Sequence, residues 1–312
     1  MFERILIDVD ALAEDHPALD QGLDLAARCG SREVTIVDVL PDMPASAVRV
    51  LGARIEEELV EHRRGCLAAI GAARRGPVPV DTRLLRGKPA VAVIREVLRR
   101  RCDLVIRSHG RDLSDTPAFG PVDLQLLRTC PCPIWLVASH AATPPRRFLA
   151  AVDVSDPSPE SVALSRAIVD LAAAIADLER GELTVVHVWQ LFGRSLLASH
   201  MSGPELEEYV AAAARDAERT FDRFKAALGD LQARARFEIL EGEPHRVIAD
   251  LVAQRPFDLV VMGTVARTGL AGLLMGNTAE HVLRDLRGSV LAVKPPGFES
   301  PITLDTTAAS TS

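Results

Sequence analysis

Hydrophobic and polar positions along the chain follow the same order twice. Residues 3–10 (ERILIDVD) and 147–154 (RFLAAVDV) read as short buried strands, each carrying an aspartate, Asp10 or Asp153, to its C-terminal end. A helical period follows each strand, in Leu19, Leu23, Leu25 and Ala26 for the first copy and in Leu164, Ile168, Leu171 and Ala172 for the second. Next come the β-branched runs 34–37 (VTIV) and 183–186 (LTVV), then long amphipathic helices around 47–75 and 204–228. Arg86-Gly87-Lys88-Pro89 and Glu241-Gly242-Glu243-Pro244 each supply a turn glycine and a proline suited to the first turn of a helix. Two further buried strands follow, 103–106 (DLVI) and 258–261 (DLVV). The closing match sets 127–137 against 283–293 at an offset of 156, whereas Asp10 and Asp153 are offset by 143. The second copy is therefore about thirteen residues longer, with much of the excess in the apolar insertion 189–203.

Strands alternating with helices imply parallel sheets with helices on both faces. The pattern predicts an α/β chain of two tandem, doubly wound, five-stranded Rossmann-like domains. The boundaries are 1–140 and 147–296, with a linker at 139–146 and a Thr/Ser-rich tail, 297–312, predicted to be disordered. In such folds ligands settle beyond the C-terminal strand ends where strand order reverses. That rule selects Asp10, Asp153, the ends of the second strands, and the loops after Ile106 and Val261.

The second of those loops is rich in glycine. Met262-Gly263-Thr264-Val265-Ala266-Arg267-Thr268-Gly269 leads on through Gly272 to Met275-Gly276-Asn277-Thr278-Ala279-Glu280, which opens a helix. Glycines let backbone N–H groups approach an anion, and a helix N-terminus adds unpaired donors. Arg267 could add a charged contact, and Asn277 and Thr278 are helix caps as well as phosphate donors. Glu280, three residues after Asn277, completes a capping-box pattern. Neither G-x-x-x-x-G-K-[ST] nor G-x-G-x-x-G occurs, so P-loop and dinucleotide readings lack their best support.

Composition narrows the classes. The chain has 312 residues, 48% hydrophobic and 25% charged, with a net charge of −7, which suits a globular protein and gives no general attraction for phosphate backbones. Aromatics at 4% leave few platforms for stacking bases, so nucleic acid is not an expected partner. Apolar stretches such as 171–176 are far short of a bilayer span, and the N-terminus lacks signal-peptide character, which predicts a cytoplasmic protein with no membrane span. Five cysteines without a Cys-x-x-Cys pair argue against a disulfide framework or a zinc ribbon. Cys130-Pro-Cys132 reads as two small hydrophobes beside a strand. The eight histidines form no recognised metal spacing; His187, between two valines, reads as a satisfied core residue or a ligand-proximal donor rather than a catalyst, and His245 as a surface residue. No Gly-x-Ser-x-Gly elbow occurs, and Ser155 near Asp153 has no local base. No catalytic residue and no metal site is expected, magnesium entering only with a nucleotide.

Two segments, GTVARTGLAGLLMGNTAEHVL (263–283) and TPAFGPVDLQLLRTCPCPIWLV (116–137), resemble the universal stress protein family in its tandem form, and the likeness runs through both halves. The resemblance implies two domains packed about a pseudo-twofold axis and a non-enzymatic role in the stress response. Nucleotide-binding members use Gly-x2-Gly-x9-Gly-[Ser/Thr] for phosphates and an aspartate at the first strand's end. By resemblance the second half supplies Asp153, Val188, Met262, Gly263, Ala266, Arg267, Gly276, Asn277 and Thr278 as a site for ATP or another adenine nucleotide. Ala266 and Asn277 depart from the pattern; a methyl group at 266 hinders close backbone approach, while Asn277 keeps donor capacity. In the first half Gly110 and Gly120 keep the nine-residue spacing. There Arg107 takes the first glycine position, Pro121 removes an N–H, and Asp123 repels an anion, so no nucleotide is expected. The alternative is a nucleotide-free scaffold whose second half holds an apolar, lipid-like ligand among Leu191, Phe192, Leu196, Leu197, Met201, Leu270, Leu273, Leu274 and Met275. Slow ATP hydrolysis stays a third reading, and either a monomeric pseudo-dimer or a homodimer fits.

Overall fold

A computed structural model describes residues 1–44, 46–47, 49, 53–74, 76–109, 119–139, 141, 144–191, 193, 200–264, 276–286 and 288–304. The first half runs β1 (Arg4–Asp8), α1 (Pro17–Cys29), β2 (Glu33–Leu40), α2 (Ala53–Ala73), β3 (Val80–Arg86), α3 (Pro89–Arg100), β4 (Leu104–His109), α4 (Pro121–Thr129), β5 (Ile134–Ala138). The second half repeats this order as β6 (Arg147–Val152), α5 (Pro159–Glu179), β7 (Glu182–Trp189), α6 (Gly203–Ala226), β8 (Ala235–Glu241), α7 (Pro244–Gln254), β9 (Leu259–Gly263), α8 (Asn277–Asp285), β10 (Ser289–Val293).

All ten strands form one sheet in the order β3-β2-β1-β4-β5-β10-β9-β6-β7-β8. Pairing is parallel within each half and antiparallel only where β5 meets β10. There Trp135 lies opposite Leu291, and the pseudo-twofold axis passes through that pair. The near-continuous apolar strand runs are explained by helices on both faces. One layer gathers Leu19 and Leu25 of α1, Leu67 of α2, Ile168 and Val169 of α5 and Phe221 of α6. The other gathers Val93 and Ile94 of α3, Leu126 and Leu127 of α4, Ile248 and Leu251 of α7 and Val282 of α8. Each layer spans both halves, so the tandem chain has a shared core.

The register is pinned by a matching pair of aspartates. Asp103 accepts the backbone N–H of Arg4 at 3.0 Å, and Asp258 accepts those of Arg146 and Arg147, both at 2.8 Å. Ile5 consequently faces Leu104 as Phe148 faces Leu259, and Asp8 faces Arg107 as Ala151 faces Met262. This corrects one reading of the sequence. Arg107 does not stand where Gly263 stands; Ser108 does, and Arg107 corresponds to Met262. The loop after β9 is one residue longer than the loop after β4, which had shifted the match.

Local signals at several helix ends act as read. Ser158 caps α5 by accepting the N–H of Ser161 at 3.3 Å, with Pro159 in the first turn. The α8 cap differs: Gly276 is the N-cap and Asn277 the first helical residue. The tail differs as well. Residues 297–304 lie against the first half, where the Ser300 hydroxyl donates to the Thr129 carbonyl at 2.7 Å, Arg95 Nε donates to the Thr303 carbonyl at 3.3 Å, and Ile302 joins the α3–α4 apolar layer. Two hydrogen bonds and a packed isoleucine hold a segment that composition alone marks as loose. Residues 305–312 are outside the described set. Among the described residues no helix is long and apolar enough to cross a membrane.

Candidate functional site

Strand order reverses between β1 and β4 in the first half and between β6 and β9 in the second. In the second half the register places Val188 and Gly263 on either side of the Val152–Asp153 strand end. The Asp153 carboxylate accepts the N–H of Ser155 at 2.9 Å, and its carbonyl accepts the Ser165 hydroxyl at 2.9 Å, so the turn out of β6 is tied to α5. Asp10 makes the matching turn, accepting the N–H of Leu12 at 3.1 Å. Val188 and Met262 are buried. At Gly263 a Cβ would come to 3.0 Å from Leu164 Cδ2 on α5, a contact with a side-chain tip that a small shift relieves. Thr264 roots the following loop: its hydroxyl donates to the Leu127 carbonyl at 3.1 Å, and its own carbonyl accepts the Gly276 N–H at 3.2 Å. Gly276 then caps α8 with ordinary extended backbone (φ −64°), its carbonyl accepting the N–H of Glu280 at 2.9 Å.

Asp153, Val188, Met262, Gly263 and Gly276 are thus brought to one end of the second half. Asn277 and Thr278 open α8, while Ala266 and Arg267 lie outside the described residues, as do Phe192, Leu196 and Leu197 of the insertion and Gly110 of the first half. His187 is core, as read: its Nδ1 faces the Val152 carbonyl at 3.3 Å, its ring lies 5.6 Å from that of Phe221, and burial pulls its pKa below the usual imidazole value.

The same end of the first half is filled by its own side chains. Arg107 reaches Asp8 through Nη1 and Asp123 through Nε at 2.8 Å. The second Asp123 oxygen accepts the Gly120 N–H at 2.8 Å, so this carboxylate occupies the α4 N-terminus, where helix donors would face a phosphate. Burial opposes the guanidinium charge, yet Asp8 and Asp123 outweigh it and raise the Arg107 pKa. A second ionic group closes the neighbouring strand: Arg63 of α2 donates to Asp38 at 2.7 Å and approaches Asp10 at 3.4 Å. Asp123 was visible in the sequence as an obstacle to an anion, whereas Arg107 was noted only as the occupant of a glycine position that the register gives to Ser108. Asp8, Asp38 and Arg63 were missed, although a charged residue inside an otherwise apolar strand, as in Leu6-Ile7-Asp8-Val9, was the available signal.

In the second half the residues equivalent to Asp8, Arg107 and Asp123 are Ala151, Met262 and Ala279. Two copies of one fold thus carry an ionic plug and an apolar floor at the same place. Family comparison identifies the unit that is duplicated: the universal stress protein family profile matches residues 1–138 and again 145–294. The chain belongs to the universal stress protein family. Universal stress protein E of Salmonella typhi and that of Escherichia coli K12 are each 29% identical to it over 98% of both chains. Among solved structures, a functionally unknown protein, PA1789, from Pseudomonas aeruginosa PAO1 is 27% identical with a TM-score of 0.68, covering 94% of this chain and 93% of its own. A universal stress protein from Archaeoglobus fulgidus shares the fold at a TM-score of 0.66 and 18% identity. These full-length likenesses carry the tandem architecture of this universal stress protein as well as its domain type.

Proposed function

We propose that this universal stress protein acts in the cytoplasm as a non-enzymatic stress-response regulator whose second half binds one adenine nucleotide, while its first half is a structural partner that binds none. The observation that supports this is the replacement of the Asp8–Arg107–Asp123 plug by Ala151, Met262 and Ala279. A plug of that kind sets two buried carboxylates where a phosphate would lie, and Ala151 and Ala279 remove both. The residues fit such a ligand: Asp153 stands at the mouth as an acceptor for ribose or base, and the Gly276 cap opens the N-terminus of α8, where a phosphate is favoured.

The apolar floor supports a second reading, a lipid-like ligand. Native mass spectrometry of the purified full-length chain, followed by calorimetric titration with ATP, separates the two. A co-purified nucleotide mass, or saturable ATP binding with one site per chain, is the expected result. A bound lipid mass with no ATP binding at millimolar concentration contradicts it.

A further inference from the structure

A second chemical cluster lies where the two halves meet. The α4 helix ends at Thr129, and Cys130 and Cys132 lie between it and β5, with their Sγ atoms 3.7 Å apart. Cys130 is fully buried and Cys132 is 7% exposed. Lys294, the residue after β10, is itself buried in this place at 6% exposure. Its ammonium donates to the Leu127 carbonyl in the last turn of α4 and to the Thr264 hydroxyl at 3.1 Å, and it lies 5.0 Å from the centre of the Phe298 ring.

Capping the C-terminus of α4 accounts for the contact with Leu127 but not for the site as a whole. The fold does not require these residues, since the positions equivalent to Cys130, Cys132 and Lys294 in the other half are Leu286, Gly288 and Ala138. A lysine amine is costly to bury, and its described partners here are neutral. What it does have within electrostatic reach is the pair of thiols, and both Cys130 and Cys132 act to raise its pKa against the burial that brings it down to about 8.

We propose that Cys130 and Cys132 form a reversible intramolecular disulfide in response to hydrogen peroxide, with Lys294 promoting the first step. Burial opposes ionisation of Cys130, but the hydrogen bond it shares with the Cys132 sulfur, the Cys132 N–H and the positive charge of Lys294 bring its pKa below the ordinary thiol value. Cys132 is held well above that value by its hydrogen bond to Cys130 and by burial. The Lys294 charge favours the thiolate of Cys130, which makes Cys130 the attacking sulfur and Cys132 the resolving thiol. The Cys130 thiolate, its proton given up to solvent, attacks one peroxide oxygen, the O–O bond breaks, and the departing hydroxide takes a proton back from solvent to leave as water; Cys130 is now a sulfenic acid. Cys132 sulfur then attacks that sulfur, its thiol proton goes to the leaving hydroxyl, and a second water departs. The two thiols lose two electrons and two hydrogens in all, and one peroxide becomes two waters. Bond formation requires the sulfurs to close by about 1.7 Å, to the disulfide length of ~2.05 Å.

The test uses the full-length chain, treated with hydrogen peroxide, denatured and alkylated. The expected result is a fall from five alkylatable cysteines to three. The tryptic peptide 129–146 should lose two hydrogens and regain them with dithiothreitol. Cys102, whose thiol burial pushes up to about 12, serves as the unreactive control. Cys132→Ser should leave Cys130 as a sulfenic acid that dimedone traps. Lys294→Met should slow disulfide formation about tenfold, and Lys294→Arg, which keeps the charge, should restore most of the rate. Five alkylatable cysteines after peroxide treatment of the folded chain would overturn the proposal, as would the same loss of two thiols in Cys132→Ser. An unchanged rate in Lys294→Met would remove Lys294 from it.

Discussion

At the point of strand reversal the first half holds a half-buried arginine between two buried aspartates, and the second holds a methionine between two alanines. Both arrangements are stable, because a buried charge network and an apolar cluster are alternative ways to fill one space. They differ in what they leave for a ligand. The ionic version places a carboxylate of the chain itself on the N-terminus of α4, so that half has its anion built in. The apolar version leaves the α8 N-terminus to a glycine cap with no side chain of its own. Duplication has preserved the frame, down to the aspartate that ties each pair of central strands, while the chemistry at the strand ends has diverged.

The comparison can be broken most severely from the ionic side. Arg107→Met alone leaves Asp8 and Asp123 buried and uncompensated, at an expected cost of about 3–5 kcal/mol of folding free energy. Adding Asp8→Ala and Asp123→Ala, which gives the first half the residues of the second, should recover most of that loss. Urea denaturation of the three chains checks both statements; a single change costing under about 1 kcal/mol, or a triple variant no better than the single, would show that the plug is not a unit.

A smaller effect, about 3 kcal/mol at most, is expected from Lys294, which belongs to the second half and reaches into the first. Its pKa is about 8 in the folded chain and 10.5 when free. Between those values the unfolded chain binds the extra proton, so this residue's contribution to stability rises with pH from about 8 to 10.5 and is level on either side. Thiols titrate in the same range, and the effect is therefore read as the difference between the wild type and Lys294→Met. A difference that stays flat across that window would mean the ammonium is solvated. Smaller again is the strap from the second half onto the first: Ile302→Ala should cost about 1 kcal/mol, measured by thermal unfolding, and a change with no effect would detach the tail from the core.

Much of this frame was legible in the chain because it rests on period and repetition. Strands buried on both faces read as unbroken apolar runs, and the order of elements was visible twice. The register of the loop after β4 was not, since a one-residue difference in loop length cannot be seen in a match between two dissimilar loops; the paired aspartates 103 and 258 resolve it in three dimensions. The ionic plug was half legible. Asp123 stood in a recognisable motif, but Arg107 was matched to a glycine position that belongs to Ser108, and Asp8 lies 99 residues from Arg107, so only sheet pairing brings them together. Lys294 carried no motif, and its burial depends on α4 of the other half. The tail's docking likewise joins Ile302 packing to hydrogen bonds at Ser300 and Thr303, none of which a periodic pattern announces.

The central claim is that a ligand enters one half only, and the two helix-cap glycines test it most directly. Gly276 has an ordinary backbone conformation, so valine there adds a side chain over the α8 N-terminus without backbone strain, and Gly120 offers the matching change over α4. ATP titration calorimetry on the wild type, Gly120→Val and Gly276→Val should show one site per chain, kept in Gly120→Val and weakened at least about tenfold in Gly276→Val, a difference of about 1.4 kcal/mol or more. Two sites in the wild type, or equal loss from both substitutions, would contradict the account.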